Sequence, residues 1–457
     1  MNMTAGKESL LQSRGSARQF LLSKTDTSRL KEFNRHETDD ADRALRSAYP
    51  DVLRNHRFME HALQQLESSA NFAAVAIRLD SVPPEDENSS EPQSVDSQVE
   101  VFEVLESVCR EENGMWGAFD SAQLAGFFPQ KTGTQALAVA REIQERLKDR
   151  TRQTITAGVA AFPTLAYQKA EILDNARKAL EHATFFGPDS AVLFDSVSLN
   201  ISGDKLYEQG ELAKAVAEFK KALELDTSNV NVHNSLGVCY GLSGDYDKAV
   251  EEFEAALSLE PEEYMALYNL GLVHIMTQRP DSALDFFLRA DEINGDAYEI
   301  AFQTGKLYLD MGDPAKGRFF LERAAALEPN SSAVYRYLGD CCAAVNSPQD
   351  ALAAYRKAVK LNPRDAASVS ALGCLFEAQG ENPEITLMFC RESVELAPGN
   401  GLFRCRLGRL YSKQGRFEDA LQEFKKAVEL GYDAAEEIEE IEKSHPEDTR
   451  RQHRDKA

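Results

Sequence analysis

The sequence predicts a chain of two parts, an α+β domain followed by an all-α solenoid of stacked helix pairs. Seven glycines carry the second half of that prediction. Gly203, Gly237, Gly271, Gly305, Gly339, Gly373 and Gly408 fall in one register, 34 residues apart except for a last gap of 35. With 26 glycines in 457 residues, chance does not produce such a series, and a period of this length marks a repeat architecture. Ahead of the register, strand-like apolar runs alternate with helical patterns, the order of a mixed α/β layer.

Residues 1–48 are polar and weakly patterned, an N-terminal extension with short helical possibilities or disorder. A domain is expected over 49–195. Arg57–Leu66 has a helical pattern, and Phe72–Leu79 (FAAVAIRL) reads as a strand. Residues 82–98 (VPPEDENSSEPQSVDSQ) are rich in Pro, Ser, Asp and Glu and are expected to form a flexible loop. Val99–Val108 is helical again, and Met115–Pro129 reads as a hairpin turning at Asp120-Ser121. A helix over Gln135–Leu147, a strand over Thr154–Phe162, a helix over Lys169–His182 and a strand over Ala191–Phe194 complete the domain.

Over 196–434 other positions repeat with the glycines. Seven residues after each comes a turn site, Gly210, Gly244, Gly312, Gly380 and Gly415, with Gln278 and Asn346 in the remaining two repeats. Twelve after it comes a small residue such as Ala215, Ala249, Ala283 or Ala351, and sixteen after it a large one such as Phe219, Phe253, Phe287, Tyr355 or Phe424. The sixth repeat fits with Thr386 and Cys390 if its extra residue lies near Glu381–Pro383. Pro261, Pro329, Pro363 and Pro398 mark ends of second helices. Small residues let two antiparallel helices approach, and the large ring is expected to fill the gap to the next repeat. Residues 435–443 (AEEIEEIEK) suit a polar capping helix, and 435–457 as a whole a cap with a charged tail.

The second repeat, with Leu236-Gly237, Tyr240, Ala249, Phe253, Ala256 and Pro261, is similar to the tetratricopeptide repeat family and its L-G-x-x-Y…A-x-x-x-F-x-x-A…P pattern. The resemblance implies a superhelical solenoid of seven repeats that binds peptide segments of partner proteins along an inner face lined by first helices. Carried over by position, that face holds Asn234, Tyr268, Phe302 and Arg336, with Asn269, Lys306, Arg406 and Arg409 nearby. Arg404, Arg406 and Arg409 form a basic spot suited to an acidic or C-terminal peptide.

Residues 50–195 resemble the GGDEF domain of diguanylate cyclases, a nucleotidyl-cyclase-like α+β fold. The resemblance rests on Asn55-His56-Arg57-Phe58, on Ile155–Ala160 (ITAGVA), on Asn175–Leu180 (NARKAL) and on the strand Leu124–Pro129 (LAGFFP). At the chemical positions it fails. Asp120-Ser121-Ala122-Gln123-Leu124 stands where the family has its signature, Arg78 takes a metal-ligand position, and Thr184 and Pro188 replace the phosphate-holding Lys and Arg. Two-metal phosphoryl transfer needs carboxylates for the cations and positive groups for the phosphates. Asp80 and Asp96 remain as possible vestigial nucleotide contacts. The resemblance therefore implies a degenerate domain without metal or cofactor, available for homodimerisation.

A net charge of −24 and pI near 4.9 argue against a nucleic-acid partner. The longest notable apolar run, Phe72–Ile77, is far too short for a membrane span. The first residues (MNMTAGKESLLQSRG) lack the apolar core of a signal peptide, so a cytoplasmic protein is expected. Seven cysteines show no metal spacing and are expected to fill helix-packing positions in a reducing compartment. The functional expectation is a non-catalytic bacterial scaffold or adaptor in signalling or complex assembly. A nucleotide-responsive regulator binding GTP or cyclic di-GMP is the alternative, and an active cyclase the least favoured.

Overall fold

The computed structural model describes residues 44–80, 95–119, 123–380 and 382–444, with 95–97 described by backbone alone. The expected hairpin turn at 120–121, most of the loop expected at 82–98 and the charged tail lie outside the described residues. The chain separates into two compact units, Met1–Val273 and His274–Ala457.

The first unit begins with a helical turn at 44–48, followed by α1 (Asn55–Gln65), β1 (Phe72–Leu79), α2 (Val95–Glu111), β2 (Met115–Ala118) and β3 (Gln123–Pro129). Then come α3 (Gly133–Lys148), β4 (Ile155–Phe162), α4 (Ile172–Ala183) and β5 (Ala191–Leu193). The five strands lie in the order β2-β3-β1-β4-β5, with β1 antiparallel to both β3 and β4, and β5 parallel to β4. The β1–α2–β2 and β3–α3–β4 stretches are thereby two interlocked split βαβ units. Alternation sorts the strands onto two cores. Phe72, Ala74, Ala76, Ala125 and Phe127 face α1 and α4, whereas Ala73, Val75, Ile77, Leu124 and Phe128 face α2 and α3. Helix α2 starts at Val95, so the last four residues expected in a loop are its first turn. The helix expected from Lys169 opens as a 3-10 turn over Lys169–Glu171 before α4.

The repeats follow without a break: α5 (Ser196–Glu208), α6 (Leu212–Leu225), α7 (Val230–Ser243), α8 (Tyr246–Leu259) and α9 (Tyr264–Met276). The core beneath α1 and α4 runs on through Leu199, Phe219, Val232, Leu236 and Cys239. Lys178 on α4 donates to Glu218 on α6 at 2.6 Å, Lys205 on α5 donates to Glu181 at 2.6 Å, and Lys221 sits 4.2 Å above the Tyr167 ring. Helix α4 thus gives the first repeat the packing partner that a preceding repeat would supply.

The second unit holds the remaining helices: α10 (Pro280–Ile293), α11 (Tyr298–Asp310), α12 (Pro314–Leu327), α13 (Ser332–Ala344), α14 (Pro348–Leu361), α15 (Ala366–Ala378), α16 (Pro383–Leu396), α17 (Gly401–Lys413), α18 (Phe417–Glu429) and the capping helix α19 (Ala435–Ser444). In both units the register glycine marks a close approach. A Cβ on Gly237 would lie 2.6 Å from the Phe253 ring, and one on Gly373 would lie 2.7 Å from Cys390 Sγ. The large residue therefore sits on the glycine of its own repeat, where the sequence pointed it to the next. In the first repeat it does both, since Phe219 shares its core with Val232 and Leu236. Thr386 and Cys390 are buried in the slots expected for the irregular sixth repeat.

Candidate functional site

Each first helix ends in the same way. At Gly244 the backbone is left-handed (φ 80°), its N–H donates to Gly241 O at 3.1 Å, and Asp245 N–H reaches back to Tyr240 O at 3.0 Å. This is a Schellman close, and it points the second helix back along the first. Four second helices then start on a proline, Pro280, Pro314, Pro348 and Pro383, which is pre-shaped for the first helical position. The local sequence thereby fixes which face of each first helix is turned away from its partner.

In the first unit that face is polar and closed. Asn269 Nδ2 donates to Asn234 Oδ1 at 2.9 Å, Asn200 Nδ2 donates to Asp204 Oδ2 at 3.2 Å, and Ser235 Oγ donates to Asp204 Oδ1 at 3.1 Å. All five side chains are buried. Tyr268, expected to offer its ring to a peptide, is fully enclosed.

In the second unit the expected residues meet around an aromatic ring that the sequence reading passed over, Tyr337. Arg336 lies 4.4 Å and Lys306 5.5 Å from its centroid, and Phe302 meets it edge-on at 5.6 Å. Tyr298 stacks on Phe302 at 5.8 Å and shares a 2.9 Å hydrogen bond with Ser331 Oγ. Arg336 Nε also faces Asp365 at 3.8 Å. Close by, Tyr355 Oη donates to Asp340 Oδ1 at 2.6 Å, and burial holds the Asp340 carboxyl above the usual carboxylate range despite Arg336 and Arg406. Two cations, three rings and a weakened acid are an arrangement for holding an extended anionic segment with an apolar side chain. Tyr337 sits two residues before its glycine, as Asn269 and Arg406 do before theirs, a position the carried-over offset did not use.

The basic spot does not form as expected. Arg404 turns to α18, donating to Glu423 at 2.8 Å and to Pro398 O at 2.9 Å. Arg406 donates to Ser370 Oγ at 2.8 Å, and Arg409 is held by Glu437 of α19. Each guanidinium is spent on a neighbouring helix.

At the sheet, Asp80 is 6% exposed and both its oxygens are engaged. Thr156 Oγ1 donates at 2.6 Å, Thr154 Oγ1 at 3.0 Å and the Asp189 N–H at 2.9 Å, with Arg78 Nη2 at 3.7 Å. The carboxylate ties β1 to β4 and to the segment before β5. Asp96 lies in the first turn of α2, its side chain outside the described residues. Among the described residues no cluster of His, Cys, Asp and Glu is placed to hold a metal ion, and no helix is long and apolar enough to cross a membrane.

The family models described as "TPR repeat" and "Tetratricopeptide repeat" match residues 203–244, then 243–298, 302–366 and 343–384, then 403–430. The helix pairs over those residues are tetratricopeptide repeats. Among solved structures, a crystal structure of MamA is similar at 23% identity over 35% of this chain and 94% of its own, with a TM-score of 0.33. YrrB, titled a TPR protein with an unusual peptide-binding site, aligns at 26% identity over 39% of this chain and 91% of its own, with a TM-score of 0.34. PilF of Pseudomonas aeruginosa aligns at 19% identity over 48% and 97%, with a TM-score of 0.43. No curated protein matches the chain.

Proposed function

We propose that this protein is a non-catalytic scaffold of the bacterial cytoplasm whose repeats hold segments of partner proteins. The observation that carries the reading is the Tyr337 cluster, where Lys306, Arg336 and Phe302 converge on one ring. Its chemistry favours a partner segment with acidic residues and one apolar anchor. The domain boundaries that go with this reading are 49–195, 196–434 and 435–457. The α/β part is read as a degenerate GGDEF-like domain, supported by the element order around β1–β4 and by the motif remnants Asn55–Phe58 and Asn175–Leu180. Arg78 beside Asp80 would repel a divalent cation, so neither cyclase chemistry nor a nucleotide-regulated state enters the proposal.

The test selects acidic-aromatic peptides from a displayed library on the full chain and measures them by fluorescence anisotropy. Lys306→Ala with Arg336→Ala should weaken the selected peptides more than about tenfold, a loss of about 1.4 kcal/mol, without moving the melting temperature. Selection of no peptides, or peptides indifferent to the double variant, would overturn the reading.

A further inference from the structure

We infer that the Tyr337 cluster takes up its anionic segment together with one proton from solvent, which lands on the Asp340 carboxylate. The inference rests on the reading of that cluster as a segment-binding site and adds what couples it to pH. Asp340 stands one helical turn beyond Arg336 and Tyr337 on α13, on the same face of the helix. Tyr355 Oη of α14 donates to its Oδ1 at 2.6 Å. The charged and titratable groups that face this pair are Arg336 and Cys341 from α13 itself, Asp365 before α15, Cys374 of α15 and Arg406 of α17.

The cations of this neighbourhood are already shared. Arg336 faces Asp365 at 3.8 Å, and Arg406 donates to Ser370 Oγ at 2.8 Å. Burial pushes the Asp340 carboxyl above the ordinary carboxylate range and Asp365 adds to the push, while the Tyr355 bond and the two arginines hold it back. A partner anion seated on Lys306 and Arg336 brings a further negative charge to the guanidinium that steadies Asp340. It raises the proton affinity of Asp340 again, and by reciprocity the proton raises the partner's affinity by the same factor. At the spacing of neighbouring side chains, roughly 6–8 Å, such a coupling is on the order of tenfold. Above its range Asp340 is charged and repels the partner, and below it Asp340 is neutral. Binding therefore tightens as the pH falls through that range.

The experiment is isothermal titration of the full chain with a synthetic peptide in which cysteic acid residues flank one phenylalanine, so that its sulfonates stay charged throughout. The natural protein should bind it about tenfold more tightly at about pH 5 than at about pH 8. The heat should also vary with the ionisation enthalpy of the buffer, as uptake of a proton requires. Asp340→Asn keeps an acceptor for Tyr355 and should bind at about pH 8 as tightly as the natural protein does at about pH 5, with no proton uptake. Tyr355→Phe removes a donor that favours the charged carboxylate, so it should move the pH dependence upward. Affinity indifferent to pH, uptake that persists in Asp340→Asn, or a Tyr355→Phe profile that stays in place overturns the inference and leaves the segment-binding reading standing. Absence of binding at either pH, by the natural chain and by Asp340→Asn alike, overturns that reading and the inference with it.

Discussion

At Gln278 and Asn346 two repeats place a side chain where the other five place glycine, and both residues take the left-handed backbone (φ 61° and 57°). Neither turn is crowded at its glycine counterparts, since a Cβ on Gly244 or Gly312 would meet nothing within 4 Å. The penalty is therefore conformational alone. Gln278→Gly should raise the stability of the second unit by about 0.5–1 kcal/mol, read as a higher denaturant midpoint with an unchanged slope. A midpoint that falls would mean that the Gln278 side chain supports the turn. His233 offers a second test at this scale. Its Nδ1 lies 2.7 Å from Glu252, and that bond, linking α7 to α8, raises the imidazole pKa above its ordinary value. A raised folded pKa adds stability that is fully present below the unfolded value of about 6.5 and is lost as the pH climbs through the folded one. Urea midpoints should thus fall over that window in the natural protein and stay flat in His233→Gln. The positions that govern turns were legible in the sequence, because a seven-residue offset from a glycine register is visible to the eye. The His233–Glu252 bond was not, because nothing in residue spacing reports which second-helix carboxylate a ring will meet.

Among the elements, those with a strict pattern are the ones the sequence placed well. Alternating or continuous apolar runs put β1, β3 and β4 within a residue or so of their observed ends. The start of α2 was misplaced because Val95–Gln98 lack apolar periodicity and follow a Pro-rich stretch, so the composition looked like loop until the helix was seen to take it in. Gly158 shows what pattern alone cannot supply. It reads as one small residue in an apolar strand, yet a Cβ there would lie 2.0 Å from Leu180 N and 2.1 Å from Ala176 O. Helix α4 rests backbone to backbone on β4, and no side chain can yield to make room. Gly158→Ala should cost about 3 kcal/mol or more, seen as loss of the cooperative sheet signal in thermal melts. A variant that melts with the natural protein would show that α4 can lift away freely. The glycine under each large ring belongs to the same class. Gly339, with the Tyr355 ring 2.6 Å from its would-be Cβ, is held by packing, and the 34-residue register is the trace that this packing leaves in the sequence.

At the scale of the molecule, the sequence drew a domain boundary at residue 195, and the packing of the first unit runs straight through it. Leu199 of α5 is fully buried in the core that also contains Phe72 and Phe127 of the sheet and Leu180 of α4. A solenoid end exposes an apolar face and needs a cap. At the other end α19 serves, with Ile441 buried and Glu437 holding Arg409. At this end α4 serves, through Lys178, Tyr167 and its own apolar side. A linear chain gives no hint of this, since a cap is defined by what it covers and not by its own repeat. The consequence is cooperative. Leu199→Ala should cost about 2–5 kcal/mol, and hydrogen exchange should quicken together in β1, β4 and α4 as well as in α5–α7. If the sheet amides kept their natural protection while only the repeat amides exchanged faster, the α/β part and the first repeats would be separate folding units, and α4 would not be the cap described above. Joint acceleration would mean that a load on the first repeats is felt by the sheet, and would give the α/β part a mechanical role.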